Sequence, residues 1–592
     1  MKRIALFVVA AVPGVVTAQQ APGFRQGVDY RIEARLDEAA QMLRARARLR
    51  YTNNSPRRLD TIYVHQHLNA FRPNSAWARR ELEFDNRRFQ DLGPDDHAFE
   101  RFVRITVNGS AVQAVYPGAP DSTVAAIPLP RPLAPGTAVD VVMDWEARPS
   151  TTARRQGREG RHYDFAQWYP RIAVYDTGGW QTQPLLPQGE FFGEFASYDV
   201  TLDVATDQVI GATGVPVAGD PGWEAVPGAA PGDLFYLRGA YAERPAASVG
   251  FLEASPEAGR KRVRWRAEDV HHFAWSADPE FRHEGGRLRD IAVHVLYRDG
   301  SLEWDLGVVV RRTIRSLAWL ESVFGRYPYP QLTILQRIES GGTEFPMLVM
   351  NGGSSQGLVM HEVAHQYAHG IFASNEWRDA WLDEGFASFL SGWFVEQHGN
   401  DAVWRSSLSQ VAGMPEDLLA TPVATPAADF PTFQAYGAMS YSKGSVFFYM
   451  LRELIGEEAF RQGLRTYYER HALSHVTEQN LRRSLEAAAG TDLGWFFQQW
   501  LHTTASLDFA VDSVTAEQQG DGRWRVRFAV TREGDGWMPV TVRVGDQVRR
   551  LEGREARQVV EVFTAERPLE VVVDPMDQVL ETDKSNNKKA VM

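Results

Sequence analysis

The sequence predicts an α+β multidomain chain in which a mostly helical domain lies between two β-rich domains. Three observations predict this order: apolar and polar residues alternate before Phe281, a helical period dominates the middle third, and alternation returns after Leu507. At about 150 residues per domain, 592 residues suffice for several domains. We expect an N-terminal β domain at 19–285, a helical domain at 286–503, a β-sandwich-like domain at 504–582 and a disordered tail at 583–592.

Composition excludes several classes of protein. Apolar residues make up 44% of the chain and charged residues 23%, which is ordinary globular usage. The net charge of −12 argues against binding to nucleic acid or anionic lipid. The chain contains no cysteine, so disulfides, thiolate ligands and a cysteine nucleophile are excluded. Any metal must therefore be bound by histidines and carboxylates.

The first 18 residues have the pattern of a signal peptide. Lys2 and Arg3 precede an apolar run from Ile4 to Val16, and Ala18 ends a small-residue cleavage site. The alternative is a membrane anchor, but the run is too short to span a bilayer and no later run is long enough. We expect cleavage near Ala18, export to a periplasm or outside the cell, and no integral membrane segment afterwards.

The N-terminal region is predicted to form antiparallel strands. Between Leu43 and Tyr51 apolar residues occupy one face, and the other carries Arg44, Arg46, Arg48 and Arg50. Such a row could bind phosphate, but on an acidic chain we interpret it as a solvated sheet face. We likewise expect the basic loop from Thr151 to Arg161 to be a solvated connection.

The remaining two domains follow from changes of period. After Ile291–Gly300 the helical patterns are LEWDLGVVVRRTIRSLAWLESVF, HEVAHQYAHGIF, EGFASFLSGWFVEQHG and SKGSVFFYMLRELIG. Alternation returns in RWRVRFAV, PVTVRV and PLEVVVDP, with QGDG as a hairpin signal. The segment after Leu507 therefore predicts a small β-sandwich.

One helical pattern carries metal-ligand chemistry. His361, Glu362 and His365 form an HExxH motif, in which the two histidines lie one turn apart on one helix face. Two imidazoles on one face can bind the same ion, while Glu362 lies beside them as a general base. The sequence therefore predicts a metal site on this helix.

Glu384 is the best candidate for a third ligand. It follows His365 after 18 intervening residues, a separation that suits a second helix packed against the first. Two histidines, one glutamate and an open water position make up a catalytic zinc site. His369 is a rival ligand, but Ala368 and Ile371 depart from the metzincin pattern, and we expect His369 beside the ligands or at the surface. We expect one Zn²⁺ per chain.

These residues resemble the aminopeptidase N-like zinc peptidases, which are gluzincins with HExxH, 18 residues and then Glu. GGTEFP, from Gly341 to Pro346, is similar to the family's Gly-Ala-Met-Glu-Asn motif, and SYSKG, from Ser440 to Gly444, resembles its Tyr-x-Lys-Gly segment. The order and spacing of all four elements agree. The resemblance covers nearly the whole chain after the signal peptide and implies a β-saddle, a thermolysin-like catalytic domain and a β-sandwich.

The resemblance implies a role for each matched position. Glu344 corresponds to the glutamate that holds the free α-amino group of a peptide, and Tyr441 to the tyrosine that binds the oxyanion. Elementary chemistry agrees, since a carboxylate pairs with an ammonium group and a neutral phenol donates to a developing negative charge. Gly341 and Gly342 are expected to allow close approach of a substrate strand. The implied function is an aminopeptidase acting on peptide substrates.

The chain also departs from the family pattern. Thr343 and Phe345 replace the Met and Asn of the family motif, and Tyr169 stands where a second amine-binding carboxylate or amide is common. The large C-terminal helical domain of many members is replaced by β patterns. Tyr436 is predicted to line the same cavity or to pack, and we leave it outside the catalytic set.

Alternatives therefore stay open. A more open site would suit a zinc endopeptidase, or a zinc hydrolase that acts on another electrophile. A non-catalytic scaffold that kept the fold is the third interpretation. The presence of Glu362 argues against a scaffold, since a scaffold needs no general base.

Overall fold

The structure is a computed structural model that describes residues 24–223, 248–253, 255–298, 300, 303–400 and 402–591. The predicted signal peptide lies outside these residues. Among the described helices, none has the length and apolar character needed to cross a membrane. The predicted order of a β-rich, a helical and a β-rich region is confirmed.

Twisted antiparallel sheets make up most of the N-terminal region. Its elements are β1 (Gly27–Asp37), β2 (Met42–Thr52), β3 (Leu59–His65), α1 (Ala76–Leu82), β4 (Phe99–Val107), β5 (Ser110–Val112), β6 (Val124–Leu133), β7 (Ala138–Arg148), β8 (Gly157–Glu159), β9 (His162–Phe165), β10 (Arg171–Ile172), β11 (Tyr175–Asp176), β12 (Gly179–Trp180), β13 (Ala196–Ala205), β14 (Val209–Ala212), β15 (Val215–Ala218), β16 (Arg260–Val270) and β17 (Trp275–Asp278). The largest sheet has the order β15-β16-β13-β1-β2-β7-β4-β5, and a second sheet, β14-β17-β9-β8, faces the helical region.

The arginine-bearing face of β2 is an ion-pair ladder. Leu43, Ala45, Ala47, Leu49 and Tyr51 are fully buried on the opposite face, as the alternation predicts. Arg46 lies 2.6 Å from Asp144 on the neighbouring strand β7, and Arg48 lies 2.9 Å from Asp140. Cross-strand partners satisfy these guanidinium groups, so the structure favours the solvated-face interpretation.

The loop from Thr151 to Arg161 is not the solvated connection expected from its composition. Arg155, Gln156 and Arg158 are 5%, 1% and 7% exposed. Arg158 donates to the carbonyl of Pro149, and the backbone nitrogen of Arg155 donates to Glu339 of the helical region. The expectation was wrong because these guanidinium groups find buried partners in distant parts of the chain, which composition does not reveal.

The helical region is built on a small mixed sheet. Its elements are β18 (Phe281–Leu288), β19 (Ile291–Arg298), α2 (Val308–Val323), β20 (Gln331–Gln336), β21 (Gly342–Phe345), β22 (Leu348–Asn351), α3 (Gln356–His365), β23 (Phe372–Ser374), α4 (Glu376–Asp379), α5 (Glu384–Gln397), α6 (Val403–Ala412), α7 (Glu416–Leu419), α8 (Phe433–Tyr436), α9 (Gly444–Ile455), α10 (Glu457–His471), β24 (Ser474–Val476), α11 (Glu478–Ala489) and α12 (Gly494–His502). The sheet order is β18-β19-β20-β22-β21. The boundary expected at residue 285 falls inside β18, which pairs along its length with β19.

Two π-helical segments adjoin the helices that carry the metal-site motifs. Gln366–Ile371 continues α3 beyond His365, and Gly437–Lys443 precedes α9. The segment Gly437–Lys443 packs closely against α5 at Gly385, where there is no side chain. A Cβ on residue 385 would lie 2.7 Å from the carbonyl oxygen of Ser440. Helix α5 and the segment Gly437–Lys443 therefore pack backbone against backbone.

Two small sheets complete the described chain. They contain β25 (Asp508–Gln518), β26 (Trp524–Glu533), β27 (Val540–Val544), β28 (Gln547–Leu551), β29 (Arg557–Thr564), β30 (Glu570–Val573) and β31 (Lys588–Ala590). The expectation of a disordered tail at 583–592 was wrong over its described part, because β31 pairs antiparallel with β30. Lys584 adds ion pairs to Asp574 and Asp577, which anchor the segment despite its polar composition.

Candidate active site

His361, His365 and Glu384 converge in the cleft between α3 and α5. The Nε2 atoms of the two histidines lie 3.2 Å apart, because residues four apart on a helix share a face. Glu384 Oε2 lies 3.4 Å from His361 Nε2 and 3.3 Å from His365 Nε2. Glu384 is the first residue of α5, where the helix N-terminus favours a negative charge.

This donor set fits a zinc ion. Glu384 Oε2 is buried and accepts no hydrogen bond within the described residues, although a buried carboxylate oxygen requires a partner. Burial alone would raise the pKa of Glu384, but His365 and His361 outweigh burial and hold that pKa well below its usual range. An ionised carboxylate beside two imidazoles is the nitrogen and oxygen set that Zn²⁺ binds.

Asp383 orients the His365 ring through the ring nitrogen that faces away from Glu384. Its Oδ1 is hydrogen-bonded to His365 Nδ1, which leaves His365 Nε2 directed at Glu384. Carboxylates in this position fix the ring and the tautomer of a metal-binding histidine. His369 is fully buried and its Nδ1 lies 3.2 Å from Asp383 Oδ2. His369 is thus beside the ligand set and outside the group formed by His361, His365 and Glu384.

Glu362 lies against the backbone of the strand that carries GGTEF. It is 4% exposed, and burial raises the pKa of its carboxyl group. A Cβ on Gly342 would lie 2.1 Å from Glu362 Oε1, so a larger residue there would displace the Glu362 carboxylate. Gly341 has a φ of +76°, a conformation that glycine adopts without strain. Gly342 therefore serves the packing around Glu362, and Gly341 serves the turn before β21.

Glu344 is aimed into the same cleft from β21. It is 3% exposed, and its Oε1 has no hydrogen-bond partner among the described residues. One Glu344 oxygen lies within 4.8 Å of ligand atoms of both His365 and Asp383. Burial raises the pKa of Glu344 to about 8, while the charge of His365 opposes that shift. A buried carboxylate without a partner is a suitable acceptor for a substrate ammonium group.

Tyr441 closes the other side of the cleft. It lies in the π-helical segment Gly437–Lys443, and its hydroxyl donates to Glu384 Oε1. Its ring stacks 6.2 Å from that of His361. Burial and the Glu384 charge raise the pKa of Tyr441 well above its usual value, so the phenol keeps its proton. The Tyr436 ring packs edge-on at 5.9 Å from Tyr441.

Three charged residues at this site, Arg155, Glu190 and Glu376, were missed by sequence reasoning. Arg155 forms a buried ion pair with Glu190, and both come from the N-terminal region. The backbone nitrogen of Glu190 donates to Glu376 Oε2 at 2.9 Å. Burial lowers the pKa of Arg155, and the nearby Glu344 carboxylate opposes that shift. No sequence motif includes these residues, and only the tertiary structure brings them together.

Arg337 organises the turn before β21. Its guanidinium donates to the carbonyl oxygens of Ser340 at 2.6 Å and Glu339 at 3.1 Å, and to the hydroxyl of Thr343. These bonds hold the backbone that contacts Glu362. Tyr169, by contrast, is buried against Tyr198, with their hydroxyls 2.8 Å apart.

Comparisons with known proteins agree with this geometry. Residues 349–500 match the Peptidase family M1 domain. Aminopeptidase N of Lactococcus lactis subsp. lactis is 30% identical over 178 residues, which cover 27% of this chain and 20% of that protein. Aminopeptidase 2 of Candida albicans is 31% identical over 184 residues, covering 29% and 19%. The matched segment thus spans about a fifth of the length of these relatives.

Solved structures extend the likeness of fold beyond that segment. Aminopeptidase A of Legionella pneumophila, in complex with aspartic acid, superposes with a TM-score of 0.65 at 14% identity, covering 94% of this chain and 59% of that chain. The M1 zinc metallopeptidase of Deinococcus radiodurans gives a TM-score of 0.55 at 16% identity, covering 81% and 94%. Residues 349–500 therefore carry a domain that matches the Peptidase family M1 model, and most of the chain shares the fold of these solved structures.

Proposed function

We propose that this protein is an exported zinc-dependent aminopeptidase that removes N-terminal residues from peptides. The observation that carries the proposal is the convergence of a metal-ligand set, a buried base, a phenol and an unpartnered carboxylate in one cleft. These groups are His361, His365 and Glu384, then Glu362, Tyr441 and Glu344. The family's aminopeptidases supply independent support. Export rests on the signal-peptide pattern of residues 1–18.

His361, His365 and Glu384 would hold one catalytic Zn²⁺ per chain. When bound, zinc polarises a peptide carbonyl and lowers the pKa of a water molecule to about 7. Asp383 keeps the His365 ring in its binding orientation. The packing of α3 against α5 therefore brings the three proposed ligands of this ion together.

Glu362 moves the proton in the proposed reaction. Its Oε2 is buried and has no hydrogen-bond partner within the described residues, so it can accept a proton from the attacking water. The same oxygen then delivers that proton to the nitrogen of the leaving amine. Arg337 and Gly342 keep the neighbouring backbone in contact with this carboxylate.

Glu344 and Tyr441 hold the two ends of the N-terminal residue. The Glu344 carboxylate accepts hydrogen bonds from the α-ammonium group, which fixes the scissile bond one residue away. The Tyr441 hydroxyl donates to the carbonyl oxygen as that oxygen gains negative charge. Because its pKa is raised, the phenol has a proton to donate across the working pH range.

The test is hydrolysis of two peptides of identical sequence, one with a free N-terminus and one acetylated. We expect the zinc-loaded protein to cleave the free peptide between its first two residues, and to cleave the acetylated peptide far more slowly. A chelator should abolish cleavage and added zinc should restore it. The variant Glu362→Gln, which keeps all three ligands, is the matched inactive control.

Other outcomes identify the competing functions. Chelator-sensitive cleavage of both peptides at an internal bond would contradict the exopeptidase proposal and indicate an endopeptidase. Cleavage of neither peptide by zinc-loaded protein would overturn peptide hydrolysis. It would then favour another zinc-dependent hydrolysis or a non-catalytic scaffold.

A further inference from the structure

We propose that His271, His272 and His369 form a second metal site, which binds a divalent first-row ion such as Zn²⁺ between the N-terminal and the helical regions. One nitrogen of each ring lies within 4.8 Å of one nitrogen of each of the others. All three side chains are buried, with at most 2% exposure. The group shares no residue with His361, His365 and Glu384.

Two regions of the chain supply these histidines. His271 and His272 follow β16 and precede β17 in the N-terminal region. His369 lies in the π-helical segment Gln366–Ile371 that extends the helix of HExxH. The His271 ring packs edge-on against the His369 ring at 4.6 Å and against the His272 ring at 4.9 Å. The three rings therefore meet at one point across the regional boundary.

A hydrogen bond to a backbone carbonyl fixes which nitrogen of the His271 ring has the lone pair. His271 Nε2 lies 3.2 Å from the carbonyl oxygen of His369, so Nε2 carries the proton and Nδ1 has the lone pair, which faces His272 Nδ1. His369 Nδ1 lies 3.2 Å from Asp383 Oδ2 without a hydrogen bond to it, and neither ring nitrogen of His369 has a hydrogen-bond partner among the described residues. Metal-binding histidines have this arrangement, with a carbonyl or a carboxylate behind the ring.

The unpartnered nitrogens are the second observation. His369 Nε2 and His272 Nε2 are buried and have no hydrogen-bond partner among the described residues. His271 Nδ1 and His272 Nδ1 lie 2.7 Å apart. That distance is an N–H···N hydrogen bond between the two rings, which an ion bound to His271 Nδ1 would replace. Burial lowers the pKa of all three imidazoles, which keeps them in the neutral form that binds metals.

The surroundings suit an ion that stays bound. The rings of Phe191 and Phe195 pack against His272 at 4.4 Å and His271 at 5.4 Å, so the site is shielded from water. Asp383 supplies a negative charge, which offsets the nearby Arg171 guanidinium. Gly193 permits this packing, since a Cβ there would lie 3.0 Å from the His272 ring. Neutral nitrogen ligands and an apolar shell favour zinc or a similar ion.

The experiment counts metal in the full-length protein after zinc loading and dialysis, by elemental analysis and by native mass spectrometry. We expect two zinc ions per chain in the wild type and one in His272→Gln. His361→Ala, which leaves Asp383 and His369 in place, should also keep one ion, bound at the second site. The double variant, with both His272→Gln and His361→Ala, should bind no zinc.

The matched control is His294→Gln. His294 is another buried histidine in contact with a histidine, with its Nδ1 2.9 Å from His283 Nε2, and it is remote from the proposed site. The variant His294→Gln should still bind two zinc ions per chain. A single zinc ion in the wild type overturns the second site, as does a count of two in His272→Gln. The zinc count of the wild type tests the second site even if a variant fails to fold. This test does not depend on whether the protein cleaves peptides.

Discussion

Gly342 and Glu362 are in direct contact, with the glycine backbone against the carboxylate. A Cβ at residue 342 would lie 2.1 Å from both Cδ and Oε1 of Glu362. Real side chains do not tolerate that separation, so the Glu362 carboxylate holds this position only because residue 342 is glycine. This contact places the proposed base against the strand that carries the proposed amine anchor.

Gly342→Ala should therefore displace Glu362. We expect kcat to fall roughly 100-fold, because a general base out of position loses most of its contribution. Zinc content should stay unchanged, since no ligand moves. The matched control is Gly357→Ala on the same helix as His361, where a Cβ would meet no atom within 4 Å. Equal activity in the two variants would contradict the contact.

Glu344→Ala should discriminate between substrates by their N-terminus. Loss of a charge-assisted hydrogen bond to the α-ammonium group costs about 1.5–3 kcal/mol, which corresponds to a fall of roughly 10- to 100-fold in kcat/KM. Residual cleavage of acetylated peptides should not fall. Paired measurements of kcat/KM on free and acetylated peptides check this, and equal losses would remove the anchoring role of Glu344.

Tyr441→Phe should act mainly on kcat. The hydroxyl makes its substrate hydrogen bond as negative charge develops, so we expect a fall of about 100-fold in kcat with little change in KM. Steady-state kinetics measure both. Tyr436→Phe serves as the control, because its hydroxyl has no hydrogen-bond partner within the described residues. A change confined to KM in Tyr441→Phe would oppose oxyanion binding.

Arg155→Met should destabilise the protein by about 3–5 kcal/mol, because it leaves Glu190 buried without its partner. The side chains of this pair are 5% and 7% exposed. Urea unfolding measures the free energy. Arg161→Met is the matched control, since Arg161 pairs with Glu38 and Asp207 while 46% exposed, and its loss should cost less than about 1 kcal/mol. Equal losses would contradict a structural role for the buried pair.

His162 should make stability depend on pH in the alkaline range. Its ring lies 3.0 Å from Asp164 and 3.0 Å from Asp278. Burial alone would lower the pKa of His162, but the two aspartates outweigh burial and raise it to about 9. Because the folded pKa exceeds the unfolded value of about 6.5, the stabilisation is complete below about pH 6.5 and disappears as pH rises through 9.

The expected loss is about 3 kcal/mol of unfolding free energy between about pH 6 and pH 10. Urea unfolding across this range measures it. His162→Gln removes the titrating group, so the dependence on pH should be weaker by that amount. Identical pH profiles of the wild type and the variant would show that His162 does not titrate in this range.

Local patterns predicted a large part of this molecule because their cause is local. Alternation in Leu43–Tyr51 corresponds to a strand with one buried face, since side chains of a strand point alternately to its two sides. HExxH brings His361 and His365 together, since residues four apart share a helix face. Glu384 was found by its spacing and residue type, and it begins the next long helix.

Predictions failed where distant partners decide the outcome. Arg155 is in a loop of polar composition, yet Glu190 and Glu339 bury it. The segment 583–591 is polar, yet pairing with β30 orders Lys588–Ala590. In both cases a partner that is remote in sequence supplies hydrogen bonds and charge, and composition alone carries no information on such a partner.

By itself the sequence determined the order of the domains, the helix face that bears the histidines, and the residue types at the proposed site. Only the tertiary structure decided that Gly342 touches Glu362, that Tyr441 donates to Glu384, and that His369 meets His271 and His272. The physical reason is that periodicity arises from neighbours along the chain. Contacts across a cleft, in contrast, depend on how separate elements pack, where a single Cβ or one buried charge determines which approach is allowed.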